Sequence, residues 1–211
     1  GVGKIVNDIQ TLDRETLGKL MLTYAQARVT NYVMFERIGA ECVRRCEGEN
    51  SGLSLSPIVI AELLGALSKV KWHAKVKRNF PQALMARTVV LLQSDVSQPF
   101  IDPEICPPDR DRAKRLLKAA HFNFGCLTRI CSGLVSLGQV DREFFERIAD
   151  FIVHALSQSP SVRERFFDQN FEEQVPRMIS CFNEAGVFHL GLIASLKQLV
   201  REQRWKLRGP H

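Results

Sequence analysis

Apolar residues recur along this chain at helical spacing, and the same spacing returns 110 residues later. Residues at i, i+3, i+7 and i+10 lie on one face of an α-helix. The first such set comprises Leu17, Leu20, Tyr24 and Ala27, and its counterpart comprises Leu127, Ile130, Leu134 and Leu137. A break follows at 28–31 in the first copy and at 138–141 in the second, so each copy predicts a helix, a short turn and a second helix.

The four-letter word FERI begins the second helix of both copies, at 35–38 and again at 145–148. At helical spacing its Phe and Ile face the same side, and we expect both to be buried while Glu and Arg point to solvent. Self-similarity over this distance is typical of repeat proteins. The alternative is a non-repetitive helical bundle in which the word occurs twice by chance, since amphipathic helices resemble one another by pattern alone.

Two further copies complete the pattern. One lies 48 residues after the second copy and places Gly186 on Gly138, where a helix end favours a left-handed residue. The other begins at Ser56-Pro57, a capping hydroxyl followed by proline at the first helical position. The chain therefore predicts an all-α single domain over 1–211, an α-solenoid of about four helix–turn–helix repeats near 13–47, 56–92, 114–158 and 170–204. The residues expected to be buried between stacked helices are Leu20, Tyr24, Phe35, Ile38, Ile130, Leu134, Phe145, Ile148, Phe182 and Leu196.

One segment, 93–112, interrupts the helical pattern. It contains four of the nine prolines, at Pro99, Pro103, Pro107 and Pro108. Proline removes a backbone donor and clashes with the preceding helical turn. We therefore expect a Pro-rich insertion between the second and third units, ordered mainly by a partner.

Composition bears on the cellular location of the protein and on whether it binds a metal. No run of about 18 apolar residues occurs, so membrane insertion is not expected. The chain begins at Gly1, and a targeting segment could have preceded it. Its six cysteines mostly lie within apolar helical patterns, which favours buried free thiols and a reducing compartment. Cys42, Cys46, Cys126 and Cys131 could bind zinc if their segments met, but their spacings differ from the usual two-residue separation, and no metal is predicted.

Catalytic patterns are not found in the sequence. The opening GVGK resembles the end of a phosphate-binding loop, but it lacks the earlier glycine, the following Ser or Thr and the preceding strand. No histidine is spaced as a ligand pair or follows a nucleophile on a turn, and His154 lies in an apolar helical pattern. We expect neither an enzyme nor a cofactor.

Basic residues form clusters, in line with a net charge of +6. The segment 69–78, KVKWHAKVKR, carries five positive charges, no acid and one tryptophan in the turn of the second unit. Such charge binds phosphates, and an aromatic ring stacks on unpaired bases, although a solvated surface would show the same composition. The candidate RNA-contacting residues are Lys69, Lys71, Trp72, Lys75, Lys77, Arg78, Arg44, Arg45, Arg112, Lys114, Arg115, Lys118, Arg204 and Lys206.

The unit LGKLMLTYAQARVTNYVMFERIGAEC resembles the helical-hairpin repeats of organellar RNA-binding proteins. These are the octatricopeptide and heptatricopeptide repeats and the helical region before the RAP domain of FAST-kinase-like proteins. Leu20, Tyr24, Ala27 and Phe35 match the outline of that unit, whereas the RAP domain itself is not visible. The resemblance implies a mitochondrial matrix protein that binds RNA, such as the rRNA-bound components of apicomplexan mitochondrial ribosomes.

Two functions of different classes follow from the basic clusters, the helical repeats and what the resemblance implies. The first is an RNA-binding, structural component of a mitochondrial ribosome, in contact with rRNA and with other proteins of that ribonucleoprotein. The second is a helical scaffold that binds protein only, as an accessory subunit of another large organellar complex.

Overall fold

The computed structural model describes residues 9–28, 32–47, 55–70, 79–97, 121–158, 163, 166–167 and 171–208. Within these ranges the chain forms eight α-helices and no strand, which confirms the all-α prediction. The helices are α1 (Arg14–Gln26), α2 (Tyr32–Glu47), α3 (Pro57–Lys69), α4 (Asn79–Ser97), α5 (Phe124–Ser136), α6 (Arg142–Ser157), α7 (Phe171–Glu184) and α8 (Leu190–Arg208). None of these helices is long and apolar enough to cross a membrane.

The helices pack in two series. The first helix of each predicted unit contacts the first helix of the next, so that α1, α3, α5 and α7 form a first-helix row. The second helices α2, α4, α6 and α8 follow one another in the same way and form a second-helix row. The contacts within the first-helix row are the more extensive, whereas the two helices of one unit touch each other less. The main interfaces therefore join units that are neighbours in sequence.

The two FERI words occupy the same place in their helices. Phe35 is the fourth residue of α2 and Phe145 the fourth residue of α6. Both phenylalanines and the isoleucines that follow, Ile38 and Ile148, are buried. Glu36, Arg37 and Arg147 are exposed and Glu146 is half-buried. The prediction that Phe and Ile face the interior is confirmed.

Three turns share one unusual backbone conformation. Gly138 and Gly186 both have φ of +66°, and Arg28, at the equivalent position of the first unit, has φ of +55°. Left-handed residues at helix ends redirect the chain and satisfy terminal carbonyl groups. The backbone N–H of Gln139 donates to the oxygen of Leu134, and that of Val187 donates to Phe182, each at 2.9 Å. The sequence-based expectation of left-handed glycines is confirmed.

The helix starts also correspond from unit to unit. The Asp13 side chain accepts a hydrogen bond from the backbone N–H of Thr16 in α1, and the Asn123 side chain accepts one from the backbone N–H of Cys126 in α5. At the second helices, Asp141 caps α6 through its carboxylate. His189 takes this role at α8, where its Nδ1 accepts from the backbone N–H of Leu192 at 3.0 Å. Side chains that accept from these first N–H groups stabilise a helix start.

Helix α3 lies at the centre of the first-helix row and is buried on most of its surface. Two glycines allow its neighbours to approach closely. A Cβ at Gly18 of α1 would lie 2.9 Å from Glu62 Oε2, and a Cβ at Gly133 of α5 would lie 2.8 Å from Leu64 Cβ. A helix that is apolar nearly all round needs neighbours on several sides, which α1, α5 and α4 provide.

Two of the ten residues expected in the core are only half-buried. Leu20 and Tyr24 pack against the core without being enclosed by it. Their counterparts in the third unit, Ile130 and Leu134, are fully buried. The difference arises because α5 lies between α3 and α7, whereas α1 begins its row in the described part of the chain. The other eight residues are buried as predicted.

An aromatic cluster joins the third and fourth units. Phe166 and Phe167, between α6 and α7, lie against Phe124, with ring centroids 6.4 and 5.2 Å from it. Phe151 and Phe171 extend the cluster from α6 and α7. Two of these four pairs, Phe124–Phe166 and Phe167–Phe171, meet edge to face, an arrangement that stabilises aromatic contacts beyond the area buried. The repeat pattern did not predict this contribution from a connecting segment.

Several predicted boundaries need correction. Helix α4 continues to Ser97, so the first five residues of the expected insertion 93–112 are helical. The segment contains no helix breaker until Pro99, which explains the extension. The remainder of that segment, and residues 114–120 of the third unit, lie outside the described residues. At the other end, α8 extends to Arg208, beyond the expected limit of 204.

Candidate functional site

The basic segment 69–78 connects α3 to α4. Lys69 is the last residue of α3 and its side chain is exposed. A cation at this position also interacts favourably with the carboxyl end of the helix. The next candidates, Lys71, Trp72, Lys75, Lys77 and Arg78, lie outside the described residues. The prediction that these five residues contact RNA from the turn of the second unit stays a prediction.

The neighbouring arginines of α2 have different environments. Arg44 is exposed and donates from Nε and Nη2 to the two carboxylate oxygens of Glu41, at 2.8 and 2.7 Å. Arg45 is buried, with a side-chain exposure of 0%, and its Nε binds Glu41 at 2.6 Å. Its Nη2 donates to the carbonyl oxygen of Leu12 at 2.7 Å and to that of Ile9 at 3.4 Å. Ile9 begins the short 3₁₀ turn Ile9–Thr11 before α1, and Leu12 follows that turn. Hydrogen bonds from Arg44 keep the pKa of Glu41 below its ordinary value.

Arg45 is thus a structural residue, and its inclusion among the RNA-contacting candidates is corrected. Adjacent residues of a helix point about 100° apart, so Arg44 reaches solvent while Arg45 turns inward. Two neighbouring arginines in a sequence do not reveal this difference, because the carbonyl groups that bind Arg45 come from another segment.

The remaining candidates form two groups. Arg204 and Lys206 belong to the last turns of α8. The residues of the third cluster, Arg112, Lys114, Arg115 and Lys118, lie outside the described residues.

A different set of charges emerges when the first helices are aligned. The four units place Lys19, Glu62, Arg129 and Arg177 at one equivalent position, hereafter the shared position. Lys19, Arg129 and Arg177 are exposed, and Glu62 is half-buried between the first two of these helices. Neither Arg129 nor Arg177 forms an ion pair with another described residue. A search for clusters of basic residues along the sequence does not find these residues, because they are far apart in the chain. The repeat alignment does place them at one position.

Arg177 is held in place by the neighbouring unit. Its Nε donates to Ser132 Oγ of α5 at 2.8 Å. Ser132 Oγ also lies 3.3 Å from Cys181 Sγ, and both of these side chains are buried. Because Nε is occupied, the two terminal nitrogens of the guanidinium are the donors that remain for a ligand.

The described cysteines are free thiols, and most are buried. Burial raises the pKa of Cys126 to about 12 and also raises the pKa values of Cys42, Cys131 and Cys181. A thiol that remains protonated at neutral pH is a poor nucleophile and a poor metal ligand. Among the residues that the structure places, no three His, Cys, Asp or Glu side chains gather as a metal site.

Apolar side chains are exposed at the turn between α7 and α8. Phe188 is 73% exposed and Leu190 is 70% exposed. Val140 holds the position equivalent to Phe188 in the third unit and is also exposed. Large apolar side chains on a surface are features of protein–protein contacts when they cluster.

The chain matches no protein-family model, and comparison with curated proteins and with solved structures gives no match.

Proposed function

We propose that this chain is an RNA-binding helical-repeat protein, built as an α-solenoid of four hairpin units. The two helix rows support the repeat arrangement, because each unit packs mainly on its neighbours in sequence. The left-handed residue at the same position of three turns gives independent support. Both features recur at the offsets of the sequence repeat, which favours a solenoid over a bundle with chance sequence similarity.

The observation that carries RNA binding is the series of exposed cations at the shared position. Lys19, Arg129 and Arg177 come from three first helices of one packed row, so they extend across several units. Helices in contact lie about 8–10 Å apart, so a chain of phosphates crossing from α5 to α7 would meet Arg129 and then Arg177. The acidic Glu62 of α3 interrupts the series between Lys19 and these two arginines. Lys69 and the basic residues that follow it add charge at the turn of the intervening unit.

The proposed site of action is the mitochondrial matrix, and the proposed RNA is rRNA within a ribosome and its proteins. This part of the proposal rests on the resemblance of the repeat unit to organellar RNA-binding repeats. A chain of four units suits a fixed structural role better than the reading of a long sequence.

RNA binding is tested by fluorescence anisotropy with a labelled oligouridylate between about 50 and 200 mM salt. Each phosphate neutralised on a single strand steepens the dependence of log affinity on log salt by about 0.7. Replacing Lys71, Lys75 and Lys77 together by Gln is expected to flatten that slope by about two units. The control changes Arg142, Arg147 and Lys197 of the second-helix row to Gln, which removes the same charge and is expected to leave the slope nearly unchanged.

Protein binding without RNA is the second candidate, and the exposed Phe188 and Leu190 favour it. A parent chain with no RNA affinity at about 50 mM salt would reject the first proposal, because that is the condition in which phosphate contacts are strongest. The scaffold function then requires that Phe188→Asp, which places a charge on the apolar turn, abolishes assembly with the partner complex.

A further inference from the structure

We infer that Arg129 and Arg177 together bind one phosphodiester group of the RNA backbone, with Ser132 as the residue that positions Arg177. This inference rests on the proposed RNA-binding function and assigns a specific anion seat within it. The pair is called the arginine seat below.

The proximity of the two arginines follows from Ser132. Arg129 and Ser132 are three residues apart on α5, and residues at this spacing are neighbours on a helix surface, with Cβ atoms about 5–6 Å apart. Ser132 in turn binds Arg177 Nε directly at 2.8 Å. Arg129 therefore lies next to Ser132, the residue to which Arg177 of α7 is anchored.

The charge of the two arginines is available to a ligand. Arg129 and Arg177 are exposed and have no ion pair within the described part of the chain. The exposed arginines of α6 differ, because Arg142 and Arg147 are bound to Glu146 and Glu143 at 2.8 and 2.6 Å. A guanidinium that lacks a carboxylate partner is free to exchange water for a phosphate.

The hydrogen bond to Ser132 gives Arg177 a defined direction. An arginine side chain has considerable rotamer freedom, which is lost when it binds a ligand. Anchoring Nε on a buried hydroxyl removes part of that freedom beforehand and leaves the two terminal nitrogens to act as a fork. Planar forks of this kind match the two oxygens of a phosphate, whereas lysine supplies only a point charge.

Nearby acids limit where the phosphate can lie. Glu62 is at the shared position on α3, and Glu173 lies one turn before Arg177 on α7. Both carboxylates repel a phosphate, which disfavours binding on their side of the two arginines.

The test measures binding of oligouridylate to four variants over the salt range given above. Arg129→Gln and Arg177→Gln are each expected to flatten the salt slope by up to about 0.7, since the contacted phosphate loses part of its neutralisation. Arg177→Lys retains the charge, so the slope should stay while affinity falls. Ser132→Ala should weaken binding about twofold to tenfold with the slope unchanged, as expected for the loss of one orienting hydrogen bond.

Arg142→Gln serves as the matched control, because it removes one exposed arginine outside the seat. Circular dichroism and thermal melts establish that each variant is folded at the assay temperature. If Arg129→Gln and Arg177→Gln change the slope no more than Arg142→Gln, the arginine seat is refuted while RNA binding by the parent stands. A parent chain without RNA affinity refutes the proposed function and the seat together.

A second measurement identifies the source of the phosphate. Titration with inorganic phosphate, followed through the Nε–H resonances of the two arginines, should shift both signals, and oligouridylate should displace the ion. Shifts produced by inorganic phosphate that oligouridylate cannot reverse would overturn the assignment to RNA. No shift of either signal with oligouridylate would overturn the seat itself.

Discussion

Replacing Gly133 by alanine tests how closely α3 and α5 approach each other. A Cβ at this position would lie 2.8 Å from Leu64 Cβ and 3.1 Å from both the carbonyl carbon and the oxygen of Leu64. Carbon atoms in favourable contact are about 3.5–4.0 Å apart. Since the nearest atoms belong to the backbone and Cβ of α3, they cannot rotate away, and the two helices must separate.

The expected magnitude combines two opposing effects. Forcing an extra methyl group into a packed interface costs about 1–3 kcal/mol. Alanine is favoured over glycine inside a helix by about 1 kcal/mol, which offsets part of that cost. We therefore expect Gly133→Ala to lower the free energy of unfolding by about 1–2 kcal/mol.

Gly65 provides the matched control, because it lies in the neighbouring helix α3 and a Cβ there would meet nothing within 4 Å. Gly65→Ala should raise the free energy of unfolding by about 0.5–1 kcal/mol. Urea unfolding of the parent and both variants measures the midpoint and the slope m. If Gly133→Ala is as stable as Gly65→Ala with the same m, the close approach of α3 and α5 is refuted.

Three other changes test the fold. Phe145→Ala should cost about 3–5 kcal/mol as a core truncation, and a thermal melt equal to that of the parent would contradict the repeat alignment. Arg28→Gly should stabilise the chain by about 0.5–1 kcal/mol, because it relieves a left-handed conformation that costs a non-glycine residue about 1–2 kcal/mol; a loss of stability in urea would exclude that conformation. Glu41→Gln should cost about 3–5 kcal/mol, since it leaves Arg45 buried without its carboxylate. The pKa of Glu41 is lower in the folded chain than its ordinary value of 4.5, so ionised Glu41 stabilises the fold above that pH and the stabilisation is lost as the pH falls below it. The stabilities of the parent and of Glu41→Gln should therefore converge in acid, and parallel profiles of stability against pH would contradict this.

Much of the fold could be predicted from local pattern. Phe35 and Phe145 predict that the second helices are buried on one face, because apolar residues at helical spacing form a face that packs against another helix. Gly138 and Gly186 mark turns, since a left-handed backbone is nearly free of strain only in glycine. These features depend on residues close together in the chain, which is why a single sequence contains them.

Features set by distant segments could not be predicted in the same way. The inward turn of Arg45 depends on the carbonyl groups of Ile9 and Leu12, before α1. The packing of Phe166 and Phe167 on Phe124 depends on the path of a connecting segment. The arginine seat could be predicted only in part. The repeat alignment places Arg129 and Arg177 at one position, whereas the hydrogen bond from Arg177 to Ser132 depends on how α5 and α7 pack.

The row arrangement of the helices has a consequence for how the chain acquires its structure. Because each helix packs chiefly on the corresponding helix of the adjacent unit, each step of assembly joins one unit to its neighbour in sequence. The pair α3–α5 approaches closely at Gly133 and has a helix of the same row on each side, so folding that starts at this pair can extend in both directions. Structure would then spread outward as in a one-dimensional lattice, and the end units would open first. The cooperativity of unfolding is consequently a property of neighbouring pairs, and the outer helices can rearrange on binding while the centre stays folded.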